Sequence, residues 1–247
     1  MAGALAGKVA LVTGAGSGIG RATALRLARE GGTMLLVGRE RGKLDETAGM
    51  IAGATVAVYP LDIADEDAVA ALARTVTETH ERLDVLVNAA GTNVSPRSLE
   101  AGSVADWHRV LDTNITGAYL LCKAFLPLLR AANVGSIVNI VSDSGLRGNN
   151  FAGVAYTASK FGLKGLTEAI NAEERQNGVR ATSIYPGEVN TPILDRRPVP
   201  PPPEARAKML QAEDIAACVA LAVTLPPHAI IEDLTVRPLA QDWVTRR

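Results

Sequence analysis

A chain of 247 residues with 47% hydrophobic content can bury a sizeable core, and its length suits one α/β domain over residues 1–247. A formal net charge of −1 gives no electrostatic reason to expect nucleic acid or an anionic membrane as partner. Cys122 and Cys218 make no disulfide framework. No apolar run approaches the ~20 residues of a membrane helix, and the start, MAGALAGK, is too short for a signal peptide and lacks a basic leader before its apolar residues, so a soluble cytoplasmic protein is expected.

Residues 8–13 read as a first strand, followed by a glycine-rich turn and a helix over 18–31. Strand 33–38 and helix 41–52 come next, then strand 54–59 with helix 65–81, and strand 83–88 with helix 103–131. Strand 134–141, helix 154–177, strand 179–185, helix 212–224 and strand 232–236 complete the order. The strands are continuously apolar rather than alternating, as strands covered on both faces are. Strand and helix alternate throughout, which predicts a doubly wound, Rossmann-like parallel sheet of about seven strands with helices on both faces. The segment 195–206, DRRPVPPPPEAR, departs from the pattern. Its proline run excludes helix and central strand and reads as a stiff surface loop within a substrate lid over 188–211.

The first turn, TGAGSGIG, carries Gly14, Gly16, Gly18 and Gly20. Ile19 stands where the last glycine of G-x-G-x-x-G would fall, so the pattern is T-G-x-x-x-G-x-G. Its physical task is the same: backbone amides approach a pyrophosphate at the positive end of a helix. A plain glycine-rich turn is the alternative. The second strand ends Val37-Gly38-Arg39-Glu40-Arg41, with no carboxylate at its tip and a guanidinium straight after. That order favours NADP(H) over NAD(H), since arginine accommodates a 2′-phosphate where a carboxylate would take a 2′-hydroxyl; otherwise Arg39 and Arg41 are solvated charges opening a helix. Asp62-Ile63 follows the third strand, where a carboxylate meets the adenine amino group. Asn88-Ala89-Ala90-Gly91 follows the fourth, small enough to pass close to a cofactor. Gly14, Ser17, Gly18, Ile19, Gly20, Arg39, Asp62, Ile63, Asn88, Ala89 and Gly91 are thus the candidate cofactor contacts of this half.

Tyr156-Thr157-Ala158-Ser159-Lys160 places a phenol and an ammonium four residues apart, on one helix face. The pair starts a helix behind the polar loop 142–153, at the carboxyl end of a strand, where doubly wound folds bind ligands. Tyr119 and Lys123 repeat the spacing but sit among leucines with no such loop before them, and read as helical packing. A dinucleotide cradle together with an activated tyrosine points to hydride transfer. His80, His108 and His228 are scattered without ligand spacing, so no metal is expected.

In order along residues 7–192, TGAGSGIG, Asp62, NAAG, Asn114 in LDTNITG, Ser142 in IVNIVSDSG, YTASK and PGEVNTP resemble the short-chain dehydrogenase/reductase family in its branch of about 250 residues. The resemblance implies catalytic Asn114, Ser142, Tyr156 and Lys160, and cofactor contacts from Tyr156, Lys160, Pro186, Gly187, Val189 and Thr191. It implies a Tyr156 that exchanges a proton with an alcohol or carbonyl, its phenolate favoured by the Lys160 ammonium, and an Asn114 that holds a helix kink and a water. Ser144 competes with Ser142, and Asp143 is an unusual neighbour for either. Substrate choice would come from 93–103, 144–155 and 188–210. Arg147 is a candidate for a substrate carboxylate, with a solvated loop arginine as the alternative. The tail LPPHAIIEDLTVRPLAQDW departs from the family's usual ending, and it resembles that of reductases of small polar or hydroxy-acid-type carbonyls. The leading expectation is an NADP(H)-dependent carbonyl reductase or alcohol dehydrogenase acting on a small molecule, assembled as a homotetramer or, second, a dimer. An NAD-dependent alcohol or hydroxy-acid dehydrogenase, a lyase or epimerase, and a non-catalytic nicotinamide-binding regulator are the alternatives.

Overall fold

The structure, a computed structural model, describes residues 3–197 and 199–239, with Arg196 by its backbone alone. β1 (Val9–Thr13) leads into α1 (Gly18–Arg29), β2 (Thr33–Gly38) into α2 (Arg41–Gly49), and β3 (Val56–Pro60) into α3 (Glu66–Thr79). β4 (Val85–Asn88) is followed by α4 (Val104–Leu111), a π-helical turn at Asp112–Thr116, and α5 (Gly117–Arg130). β5 (Gly135–Ile140) precedes α6 (Val154–Glu174). β6 (Val179–Pro186) precedes β7 (Val189–Asn190), α7 (Pro203–Arg206) and β8 (Leu210–Gln211), before α8 (Ala212–Thr224) and β9 (Asp233–Val236).

Seven strands form one parallel sheet in the order β3-β2-β1-β4-β5-β6-β9. The order reverses between β1 and β4, which opens a crevice at their carboxyl ends. β1 shows why its run is apolar without alternation. Ala10 and Val12 pack into one layer with Leu27 of α1 and Ile215 and Val219 of α8, while Leu11 packs into the other with Leu72 of α3 and Phe125 of α5. Each of the larger of these buried side chains contributes about 1.5–3 kcal/mol.

A buried polar chain fixes α6 against this sheet. Asn88 Nδ2 donates to Asn139 Oδ1 at 2.8 Å, and Asn139 Nδ2 donates to Thr167 Oγ1 at 2.8 Å, joining β4, β5 and α6. No helix among the described residues is long and apolar enough to cross a membrane.

The helix expected over 103–131 runs on through α4, the π turn and α5, with the kink expected at Asn114, whose side chain turns inward to bond the backbone of Thr92. Two expectations are corrected. The proline segment 195–206 holds a helical turn: α7 opens on Pro203 at a first-turn position, where the missing N–H has no intrahelical partner to lose. The lid region is also more ordered than a loop, since β7 and β8 pair in parallel and Leu194, Ala205 and Met209 form a small core of their own. Pro198 of this segment and residues 240–243 of the tail lie outside the described residues.

Candidate active site

The glycine turn is built for close approach. Gly14 (φ 63°) and Gly18 (φ 51°) are left-handed. A Cβ on Gly14 would sit 3.0 Å from the Ala90 backbone, and one on Gly18 would sit 3.2 Å from the Thr191 methyl. Thr13 pulls the same turn together, its Oγ1 accepting from the N–H groups of Ala89 (3.0 Å) and Ala90 (3.1 Å). This positioning role of Thr13 escapes the sequence reading, although the residue opens the motif.

The start of α1 is left open. Ser17 caps it without a side-chain hydrogen bond and no acidic residue lies in its first turn, whereas α3 begins with an Asp65 cap followed by Glu66 and Asp67. Free N–H groups and the positive helix end at α1 suit a pyrophosphate. Within α1, Gly20 is buried and Ile19 packs on the core.

At the tip of β2, Arg39 is exposed and makes no ion pair or hydrogen bond among the described residues. Its neighbours are engaged: Glu40 with Lys43 at 2.8 Å, Arg41 with Asp45 at 3.3 Å. Asp62 is exposed and accepts from the Ala64 N–H at 3.0 Å. The side chains of two expected contacts point inward. Ile63 is buried against Gly117, and Asn88 is committed to Asn139, so both can meet a ligand only through backbone. On the far wall, Pro186 ends β6, the Gly187 N–H donates to Val236 O at 2.7 Å, and Val189 is buried in β7. Thr191 Oγ1 donates to Val189 O at 3.4 Å. An open helix end and a free guanidinium beside it fit a nicotinamide dinucleotide.

The catalytic candidates converge on this crevice. Lys160 is buried, with Nζ donating to the Ile140 carbonyl at 2.8 Å and lying 5.6 Å from the Tyr156 ring centre. Asn114 Oδ1 accepts from the Thr92 N–H at 2.7 Å while its Nδ2 donates to Ser159 Oγ at 3.0 Å, and Ser159 Oγ donates to the Tyr156 carbonyl at 2.7 Å. Gly91 joins the two halves: a Cβ there would stand 3.5 Å from Asn114 Oδ1 and 3.7 Å from Lys160 Nζ.

Ser142 and Ser144 part ways. Ser142 Oγ accepts from the Ser144 N–H at 3.2 Å, and the serine makes the Tyr156 phenol easier to ionise. Ser144 Oγ accepts from Asn149 Nδ2 at 3.3 Å and is buried. Asp143, between them, is gripped by Arg237 through two nitrogens at 3.1–3.2 Å.

Burial raises the Tyr156 phenol, opposed by Ser142 and then by the charges of Arg197 and Arg97. Lys160 itself is pulled down to about 8 by burial. Neither Arg97 nor Arg197 falls in any motif; only the folded loops bring them to Tyr156. Arg147, the sequence candidate for a carboxylate, is exposed. Tyr119 and Lys123 are exposed on α5, so that look-alike pair is not packed in the core.

The short chain dehydrogenase family pattern matches residues 8–199. An uncharacterised oxidoreductase of Staphylococcus aureus strain MRSA252 is 36% identical over 95% of this chain and 99% of its own. The crystal structure of a metagenomic short-chain oxidoreductase in complex with NADP is 36% identical, with a TM-score of 0.83 over 96% of this chain and all of that one. An alcohol dehydrogenase from the archaeon Thermococcus sibiricus, complexed with 5-hydroxy-NADP, is 29% identical with a TM-score of 0.85, covering 95% and 97% of the two chains. With this family match over most of its length and that relative aligned nearly end to end, the chain belongs to the short-chain dehydrogenase/reductase family of nicotinamide-dependent oxidoreductases.

Proposed function

We propose that the enzyme is an NADP(H)-dependent carbonyl reductase or alcohol dehydrogenase. The observation that carries this reading is the convergence at the carboxyl end of β5, where Lys160 is buried, tied to the Ile140 carbonyl two residues before Ser142, and lies 5.6 Å from the centre of the Tyr156 ring. Two hydroxyls that face one crevice can both donate to a carbonyl oxygen placed between them. In reduction, Tyr156 gives its proton to that oxygen while Ser142 stabilises the charge developing there. In the reverse direction Tyr156 takes the alcohol proton. A bound nicotinamide supplies or accepts the hydride. Lys160 and Asn114 act from behind, Lys160 fixed on the end of β5 and Asn114 through Ser159 on the first turn of α6.

The preference for NADP(H) rests on Arg39. It stands free at the tip of β2, while the neighbouring Glu40 is paired with Lys43. The metagenomic and archaeal neighbours carry NADP and an NADP derivative in their crystals. The test is a screen of ketones, aldehydes and alcohols against NADPH and NADH, followed at the nicotinamide absorbance. Carbonyl-dependent oxidation of NADPH, faster than that of NADH, is expected. Tight NADPH binding with no turnover across the panel would overturn the reading in favour of a regulator.

A further inference from the structure

Two arginines from different loops, one of them fixed at the start of the helix that carries Tyr156, are joined by a third residue. Arg97 Nη1 donates to the Phe151 carbonyl at 3.2 Å, while the Arg197 guanidinium lies over the Phe151 ring, 4.5 Å from its centre. The Arg97 backbone is fixed at the start of α6, its carbonyl accepting from the Val154 N–H at 3.3 Å, less than one turn before Tyr156. Arg97 also borders a cavity of about 250 Å³ that it shares with Asn93, Trp107, Gly153 and Ala155, so its side chain faces open space as well as protein.

Their charges are unequally compensated. Arg197 is paired with Glu188 at 2.9 Å, both half-buried. Arg97 is half-buried too, yet among the described residues it bonds only the carbonyls of Val94 and Phe151. Asp106, the acid lining the same cavity, is taken by Arg109 and by Ser103 at 2.8 Å. Burial and then the charge of Arg197 lower Arg97, so the two guanidiniums repel each other as they stand. Half-burying a cation without a counter-ion is unfavourable, and a planar guanidinium is matched by the two oxygens of a carboxylate or phosphate.

We infer that Arg97, with Arg197 beside it, binds an oxyanion of the substrate, so that the carbonyl or alcohol reduced at Tyr156 carries a carboxylate or phosphate. This inference rests on the carbonyl-reduction reading and names its substrate class. Arg97 supplies the free charge. Arg197 supplies a second fork that Glu188 holds in place, and Phe151 spaces the two.

The test measures binding in the presence of NADP+, where a ketone cannot turn over. Pyruvate, acetoacetate and levulinate set a carboxylate progressively farther from the carbonyl, and each is titrated calorimetrically against its methyl ester. Dihydroxyacetone phosphate is titrated against dihydroxyacetone. At least one acid should bind about tenfold more tightly than its neutral partner, a difference of about 1.4 kcal/mol. Arg97→Gln should abolish that preference and leave neutral ligands within about twofold, whereas Glu188→Gln, which releases Arg197, should increase it. Which arm responds separates carboxylate from phosphate. Equal binding of acid and neutral partner in every arm overturns the inference, as does an Arg97→Gln loss that falls equally on both. Acid-selective binding without NADPH consumption leaves the oxyanion site standing and overturns the reduction reading. Reduction of neutral ketones with no acid preference does the reverse.

Discussion

Lys160 Nζ donates to the carbonyl oxygen of Ile140 at 2.8 Å, which ties the lysine to the end of the strand that carries Ser142. The ammonium therefore lies beside the Tyr156 ring and not at its hydroxyl, and it is buried. Its role in this geometry is to hold the end of β5, the phenol and α6 in one frame.

That burial has a consequence for stability. Lys160 is pulled down to about 8 when folded, against ~10.4 for a free lysine. Between these values the unfolded chain holds a proton that the folded chain has released, so stability rises with pH across this window. Lys160→Met has no such rise. The stability of the wild type relative to Lys160→Met should therefore grow by roughly 2–3 kcal/mol between pH 7 and pH 10.5. Urea unfolding of both proteins at several pH values measures it, and a constant difference would refute the burial account. Turnover should be lost in Lys160→Met at every pH.

Tyr156→Phe should abolish turnover and leave cofactor affinity within about threefold, since it removes the exchangeable proton and almost no volume. Tyr119→Phe should be silent, because Tyr119 is exposed on α5 and far in kind from the crevice residues. Steady-state kinetics and cofactor fluorescence decide. Inactivation by the Tyr119 change alone would mean that the wrong pair had been singled out.

The sheet was legible because its strands are buried on both faces, and continuous apolar runs such as TMLLVG record that directly. The glycine turn and the Tyr156–Lys160 pair were legible because local spacing sets their geometry. What escaped depends on contacts remote in sequence. β7 and β8 are two residues each and pair across the segment 188–211, and Arg97 and Arg197 meet at Phe151. No periodicity marks such features. The inward turn of Asn88 was hidden for the same reason, its partner Asn139 lying on a different strand.

Cofactor choice can be moved at the tip of β2. Arg39→Ala should weaken NADPH by about tenfold or more and NADH within about twofold, since a guanidinium gains most from a phosphate. Gly38→Asp should shift preference towards NADH by repelling that phosphate. A Cβ at Gly38 would lie 3.3 Å from a terminal methyl of Leu44, which a small side-chain shift relieves. Equal Michaelis constants for NADPH and NADH in the unmutated enzyme would remove the basis of both expectations.

The Asp143–Arg237 pair accounts for the unusual acid beside Ser142. A residue just past β9 clamps the loop that presents the serine, with three nitrogen–oxygen contacts at 3.1–3.2 Å. Asp143→Ala and Arg237→Ala should each lower kcat by about three- to tenfold through a looser Ser142, with the double variant no worse than either, as expected of a partly exposed pair worth about 1 kcal/mol. The cofactor Michaelis constant should not move. A double variant whose losses multiply would show that the two residues act separately.

Assembly is the last expectation. Trp107 on α4, Tyr119 on α5 and Phe161 on α6 are 36%, 48% and 44% exposed, an aromatic set on three helices that also leave Val104 and Val154 exposed. Aromatic side chains of this size gain most by meeting their own copies across a two-fold axis, because one patch then covers the other. We expect a homotetramer, with a dimer as the next state. Light scattering at micromolar concentration should return a mass near four chains of 25.8 kDa. Phe161→Glu should lower that mass while the far-ultraviolet circular dichroism is unchanged, since the side chain lies outside the core and a buried charge at the contact is unfavourable. A wild-type mass near one chain would sink the proposal, and an unaltered mass in Phe161→Glu would move the contact to another face.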